Sequence, residues 1–568
     1  MKRTSLLFLL LAACSSSTKL QTVPLRPQAA RTQYEAIGTR AIVATQGTAS
    51  TAAALEVLNK GGNLFDAFAA VSFAISVERP QSTGLGGGGF ILFRSAKTGK
   101  VESLDFRETA PRRAHSRMYL NSEGQVESQK SISGGLAVAT PGLVKGVLEL
   151  HTRHGRLSRA EVLAPAIRLA KQGFPIYPAL HQALQSEKSV LARFPSSRKI
   201  FLDPQGEPWP VGHILVQSDL AKTLREIASQ GAASFYQGSV AKKIVNTLRE
   251  HQGLLELQDL RDYRTKWRKP VQSVYRNFEI FSQPPPSSGG THVIQILNTL
   301  EKDQLRRMGP QHPDAVHLTA SAMQRAFVDR ARYMGDPDFV KIPLETLTSK
   351  SYAKEIRSQI SLSKASPAVQ FSVDPESPET THFSMMDHEG NMIASTQTIN
   401  GYFGSGLVAE GTGIVLNNEM DDFSAQVGAQ NLYQAVGGRN NLVAPRKRPL
   451  SSMSPTLVLK NGEPFLAVGT PSGTRIITCV TLTLLNVLEY ELAPWEAVTL
   501  ARYHHQWQPD VLRVEAPGLP SSTVRELERR GHRLEEKDLG CRIQLVQKTQ
   551  SGLHGVSDPR EEGSSRGL

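Results

Sequence analysis

The sequence predicts a layered α+β protein, and three observations carry that prediction. Segments 136–260 and 290–360 have capped, helix-like patterning. Segments after residue 370 alternate apolar and polar residues in paired hairpins. Two further helical runs follow at 475–490 and 521–530. Helices first, hairpins behind them and another helical layer fit sheets covered by helices.

Residues 42–45 form a short β-like run. Ser50 is placed to cap a helix over 52–58 that stops at Gly61-Gly62. A second helix over 66–77, rich in Ala, Phe and Val, is expected to be buried on most sides. Residues 78–82 break it, and Gly84, Gly86, Gly87, Gly88 and Gly89 lead into a strand at 90–93. A phosphate loop needs Gly-Lys-Ser/Thr opening a helix; this run opens a strand, so its glycines imply a tight backbone path. Capped helices are expected at 160–172 and 220–230. Strands 381–386 and 392–398 flank the turn Asp387-His388-Glu389-Gly390-Asn391, and strands 455–459 and 465–469 flank Asn461-Gly462. No internal repeat is visible.

The 568 residues are 39% hydrophobic and 21% charged, which excludes bulk disorder. The net charge of +13 is scattered, and Arg112-Arg113 and Arg446-Lys447-Arg448 are short clusters without interleaved aromatics. A solvated basic surface is expected, not nucleic-acid binding. HExxH and CxxC patterns are absent and His504-His505 stands alone, so neither a metal site nor a cofactor is expected.

Lys2 and Arg3, the apolar run 6–11 and Ala12-Ala13 before Cys14 describe a secretory signal over 1–13. The run is too short to span a bilayer, which takes about 20 residues. Leu11-Ala12-Ala13-Cys14 resembles a bacterial lipobox, with Cys14 the lipidated first residue of the mature chain; an ordinary signal peptide with an incidental cysteine is the competing reading. Residues 14–35 are expected to be a tether, Ser/Thr-rich at its start. The expected location is the bacterial periplasm, anchored to the membrane. Cys479 and Cys541 then remain. Their spacing does not decide whether they meet, and Cys479, inside the apolar run 476–480, is expected to be a plain buried thiol.

The chemistry centres on Glu379-Thr380-Thr381-His382-Phe383. It follows a Pro/Ser/Asp stretch at 372–378 and opens a strand. Cleavage between Glu379 and Thr380 would give Thr380 a free α-amine, with a reference pKa of about 7.7–8.0. Such an amine can take the proton of the residue's own hydroxyl, making one residue nucleophile and base. On spacing alone, an ordinary strand-opening Thr pair is the better reading, and the segment gains force only through its surroundings.

Its surroundings are similar to the gamma-glutamyltranspeptidase family. The matching blocks are Thr380-Thr381-His382-Phe383, Leu104-Asp105-Phe106-Arg107-Glu108-Thr109-Ala110-Pro111, Asn417-Asn418-Glu419-Met420-Asp421-Asp422-Phe423, Pro449-Leu450-Ser451-Ser452-Met453-Ser454-Pro455 and Tyr503-His504-His505-Gln506-Trp507, in family order. The resemblance implies a four-layer αββα sandwich of the N-terminal-nucleophile hydrolase type. It also implies autocatalytic splitting into a large subunit, 36–379, and a small subunit, 380–568. Thr380 is then the nucleophile and Thr398 the hydroxyl that orients it. Gly473 and Ser472 would supply oxyanion-hole N–H groups, although the family often has Gly-Gly where this chain has Ser472-Gly473. Arg107, Ser451 and Ser452 would hold the α-carboxylate of a γ-glutamyl donor, and Asn400, Glu419 and Asp422 its α-ammonium. Tyr433 would be the gating aromatic of a lid over 426–438, for which an ordinary surface loop is the alternative. The implied activity is hydrolysis of glutathione and related γ-glutamyl amides, or transfer to an amino acid or dipeptide. Two alternatives stay open: a cephalosporin (glutaryl) acylase of the same fold, and a non-catalytic envelope lipoprotein.

Overall fold

The computed structural model describes residues 30–366 and 380–568. The expected signal peptide, Cys14 and Glu379 lie outside the described residues.

Two seven-stranded sheets form the centre. The first has the strand order Ser564–Gly567, Ala41–Thr45, Thr381–Asp387, Met392–Thr398, Gly88–Arg94, Val101–Asp105 and Lys266–Arg268. The second runs Glu35–Gly38, Gly552–Ser557, Gln544–Thr549, Glu463–Gly469, Thr456–Lys460, Phe278–Ser282 and Val271–Tyr275. Pairing within both sheets is antiparallel.

Side chains alternate across each strand, and that alternation builds the layers. Ile42, Ala44, Leu92, Met386 and Ala394 of the first sheet meet Leu457, Leu459, Ala467 and Val546 of the second in one buried cluster. The alternate residues Val43, Ile91, Phe93, Met385 and Ile393 face a helical layer that includes Leu64–Glu78 and Arg159–Gln172. Val458, Leu466, Val468 and Leu545 face the opposite layer, built from Gly289–Leu300, Pro313–Tyr333 and Arg475–Leu488. The result is the expected αββα sandwich.

Helix Leu64–Glu78 is buried along its whole length, as its composition implied, and a capping box between Asn63 and Asp66 starts it. The helix before it begins earlier than expected. It spans Thr48–Asn59, with Gly47 as its N-cap. The Glu78 carboxylate accepts from the Ala49 and Ser50 N–H groups, each at 2.8 Å. A distant acid at the positive helix end replaces the local hydroxyl cap expected at Ser50.

The glycine run does what its context implied. A Cβ on Gly86 would sit 2.1 Å from the Val415 carbonyl oxygen, and one on Gly87 2.0 Å from that of Thr398. Those absent side chains let the segment pass directly beneath the end of strand Met392–Thr398.

Two expectations are corrected. Cys479 and Cys541 form a disulfide, with Cα atoms 6.6 Å apart, tying helix Arg475–Leu488 to the segment entering strand Gln544–Thr549. The apolar run around Cys479 records only that the position is buried, because the partner arrives from 62 residues away. The tether also ends sooner than residue 35: Arg31–Tyr34 is a helical turn, Tyr34 is buried, and Glu35 opens a sheet strand.

Candidate active site

Thr380 sits at the head of strand Thr381–Asp387, in the middle of the first sheet and 4% exposed. The neighbouring strand ends at Thr398, and the two threonine hydroxyls lie 3.5 Å apart. Thr398 Oγ1 also accepts from the Asn400 N–H at 2.8 Å, which fixes its orientation. The strand start is held from the other side, since Gln46 Oε1 accepts from the Thr381 hydroxyl and the His382 N–H. His382 lies beneath, its ring bonded to Thr396 and Ser384. Burial pushes its pKa down to about 3, so it packs as a neutral ring.

A narrow cavity opens from Thr380; its wall includes Thr398, Asn400, Arg107, Asp422, Ser451, Ser452, Tyr433 and Gly473. Nine of the expected site residues, scattered over more than 360 positions, thus meet around one space. Ser472 and Glu419 do not line it. The Ser472 hydroxyl turns away to the Leu539 carbonyl, and its φ of +107° is a conformation that favours glycine. Gly473 follows at φ +50°, with the Tyr433 ring against it.

Glu419 is fully buried on the far side of Arg107, not at the wall. Arg107 Nη1 is 2.6 Å from Glu419 Oε2, Nη2 is 2.5 Å from Asp422 Oδ2, and Glu108 lies 3.8 Å off. Burial opposes the Arg107 charge, but Glu419, Asp422 and Glu108 outweigh it and hold its pKa above the ordinary value. The acids carry the strain of this arrangement. Burial pushes Glu108 up to about 8 despite Arg107, and raises Glu419 and Asp422 likewise.

Three wall or support residues were not singled out from the sequence: Arg330, Asn431 and Gln46. Arg330 donates to the hydroxyls of Ser288 and Ser452 at 3.0 and 3.1 Å, and burial lowers its pKa to about 10 against the opposing pull of Asp422. In a helix whose last turn also carries Arg332 it looks like any basic surface residue, and only the fold turns it inward. Asn431 donates to Asp422 Oδ1 at 3.0 Å.

Asn431 belongs to segment 426–438, which folds over the cavity. The Leu432 N–H bonds Asp421 Oδ2 at 2.8 Å, and the Tyr433 hydroxyl donates to the Asn400 carbonyl at 2.9 Å. Tyr433 is thereby pinned as a roof between Asn400 and Gly473.

The gamma-glutamyltranspeptidase family model matches residues 50–568. The chain belongs to the gamma-glutamyltranspeptidase family. It is 43% identical over 525 residues to the glutathione hydrolase proenzyme of Escherichia coli K12, covering 91% of this chain and 90% of that one. It is also 36% identical over 506 residues to an acylase ACY 1 proenzyme of Pseudomonas sp. strain V22, covering 88% of each. Among solved structures, a cephalosporin acylase from Bacillus halodurans superposes with a TM-score of 0.85 at 27% identity, covering 96% of this chain and 99% of that one. Membership of the gamma-glutamyltranspeptidase family makes this chain an enzyme. Among the described residues no helix is long and apolar enough to cross a membrane.

Proposed function

We propose that this enzyme hydrolyses or transfers the γ-glutamyl group of glutathione and related γ-glutamyl amides, after cutting itself between Glu379 and Thr380. The observation that carries this is the Arg107–Asp422 pair on the wall of the cavity that opens at Thr380. A glutamyl donor is a zwitterion at its α-carbon. Inserted between these two side chains, its carboxylate replaces Asp422 as partner of Arg107, and its ammonium replaces Arg107 as partner of Asp422. No buried charge loses its partner in the exchange. Ser451, Ser452 and Asn400 add polar contacts, and Glu419 supports Arg107 from behind.

In the first step Thr380 Oγ attacks the γ-carbonyl, and its proton passes to the Thr380 α-amine. N–H groups at Gly473 and Ser472 meet the developing oxyanion. The C–N bond then breaks, the amine proton goes to the departing nitrogen, and a γ-glutamyl ester remains on Thr380. Water or an amine resolves it by the reverse sequence. Purified enzyme should run as two fragments, the smaller beginning Thr-Thr-His-Phe. Thr380→Ala should abolish both cleavage and turnover; an active, uncut Ala variant excludes the scheme.

The acylase relatives make a glutaryl substrate the second reading. Glutaryl groups have a carboxylate but no ammonium, so binding one would leave Asp422 buried and unpaired. Turnover of γ-glutamyl against glutaryl anilides decides between them. The export signal and a lipid on Cys14 are part of the same proposal. Cys14→Ser should release the protein from the membrane fraction, and an unchanged distribution would refute the anchor.

A further inference from the structure

The turn at 470–473 carries the proposed oxyanion N–H groups and runs directly into helix Arg475–Leu488. An irregular segment, 537–543, joins strands Leu534–Glu536 and Gln544–Thr549 and lies against that turn. The Leu539 carbonyl accepts from the Ser472 hydroxyl and, at 2.9 Å, from Arg475 Nη1. The Thr470 hydroxyl accepts from the Arg542 N–H at 2.8 Å. Between these contacts lies Cys541, whose disulfide partner Cys479 is one helical turn beyond Arg475. Thr470, Ser472, Arg475, Leu539 and both cysteines are buried. The crosslink and these hydrogen bonds strap residues 539–542 across the start of the helix.

Ser472 is the residue that needs the strap. Its φ of +107° is disfavoured for any residue with a Cβ, so the turn keeps that conformation only while contacts outside it hold Ser472 there. Relaxation to a negative φ rotates the 471–472 peptide and redirects the Ser472 N–H. We propose that the Cys479–Cys541 disulfide is a positioning device for catalysis: it clamps 539–542 onto the turn and so keeps Ser472 in the conformation that presents the oxyanion N–H groups. The inference rests on the oxyanion role given above to Gly473 and Ser472. A second tie, from Arg502 Nη2 to the Cys541 carbonyl at 3.2 Å, also holds the segment. Loss of the crosslink therefore loosens the strap without freeing it, and the turn spends part of its time in the wrong conformation.

The test is a double-mutant cycle on the processed two-chain enzyme with γ-glutamyl-4-nitroanilide, at a temperature well below every variant's melting midpoint. Cys479→Ala with Cys541→Ala should lower kcat about ten-fold, a part of the roughly 10²–10³-fold that a lost oxyanion donor costs. KM should change less than about two-fold, because these N–H groups meet charge that exists only in the transition state. Ser472→Gly removes the strain, so in that background the same cysteine change should cost under about two-fold in kcat. Thr470→Val removes one strap contact and leaves the disulfide; it should give the same kcat-only loss, about three-fold. A folded, processed cysteine variant with wild-type kcat, or an equal loss with and without Ser472→Gly, overturns the proposal, since a crosslink that only adds stability gives those results. Should the cysteine variant fail to fold, Thr470→Val decides, and a wild-type kcat there overturns it. A wild-type enzyme that turns over no γ-glutamyl anilide would instead overturn the γ-glutamyl reading beneath it.

Discussion

Ser472 holds a φ of +107° that a side chain disfavours, yet its hydroxyl is bonded to Leu539 and approached by Arg475. Strain of this kind costs of order 1–3 kcal/mol, and the bond returns about 1 kcal/mol. Ser472→Gly should therefore keep turnover and raise the melting temperature slightly, whereas Ser472→Ala should lower it, by calorimetry. In the proposed function the Arg107–Asp422 pair sets donor choice. Asp422→Asn should weaken kcat/KM for γ-glutamyl anilide by about 30–150-fold, the effect of losing a charge-assisted bond of ~2–3 kcal/mol. Its preference over a glutaryl anilide should shrink in parallel; an unchanged preference would remove Asp422 from ammonium binding. Arg107, Asp422, Ser451 and Ser452 were legible because they lie in recognisable blocks. Arg330 was not, since nothing local distinguishes an inward arginine from its solvated neighbours.

Among the elements, the adjacent strands Thr381–Asp387 and Met392–Thr398 matter most. Their alternation was readable, and their register places Gln397 opposite Thr381, which leaves Thr398 beside Thr380. The disulfide was not readable. Cys479 lies on a helix and Cys541 in the lead-in to a strand, and only packing of helix against sheet brings them together. By the chain-entropy model a crosslink over 62 residues contributes about 4 kcal/mol. Cys479→Ser should lower the denaturation midpoint accordingly, and a shift below about 1 kcal/mol would show that packing alone holds the helix. The helix cap at Glu78 was missed for the same reason as the disulfide, since the acid is contributed from 28 residues away.

For the whole molecule, five histidines are buried and held neutral: His292 near 4, His382 and His532 near 3, His504 well below 6.5 and His317 below it too. Burial is the leading cause in each. The unfolded chain protonates these rings below their ordinary 6.5, while the folded chain does not, so stability present above pH 6.5 is lost on acidification towards those lower values. Each contributes up to about 1.4 kcal/mol per pH unit over its window. The unfolding free energy should fall steeply between pH 6 and 4, and His382→Gln should flatten that slope by one proton. A free energy level over that range would mean the rings are hydrated.

The sequence by itself determined the layer pattern and, through its family motifs, the proposed nucleophile and the proposed charged residues of the donor site, because periodicity and contiguous motifs are local properties. Tertiary structure alone decided that Glu419 stands behind Arg107 instead of at the wall, that Arg330 turns inward and that the two cysteines join. These are relations between residues up to hundreds of positions apart. Their energies come from burial and charge proximity, which exist only once the two sheets have closed on each other.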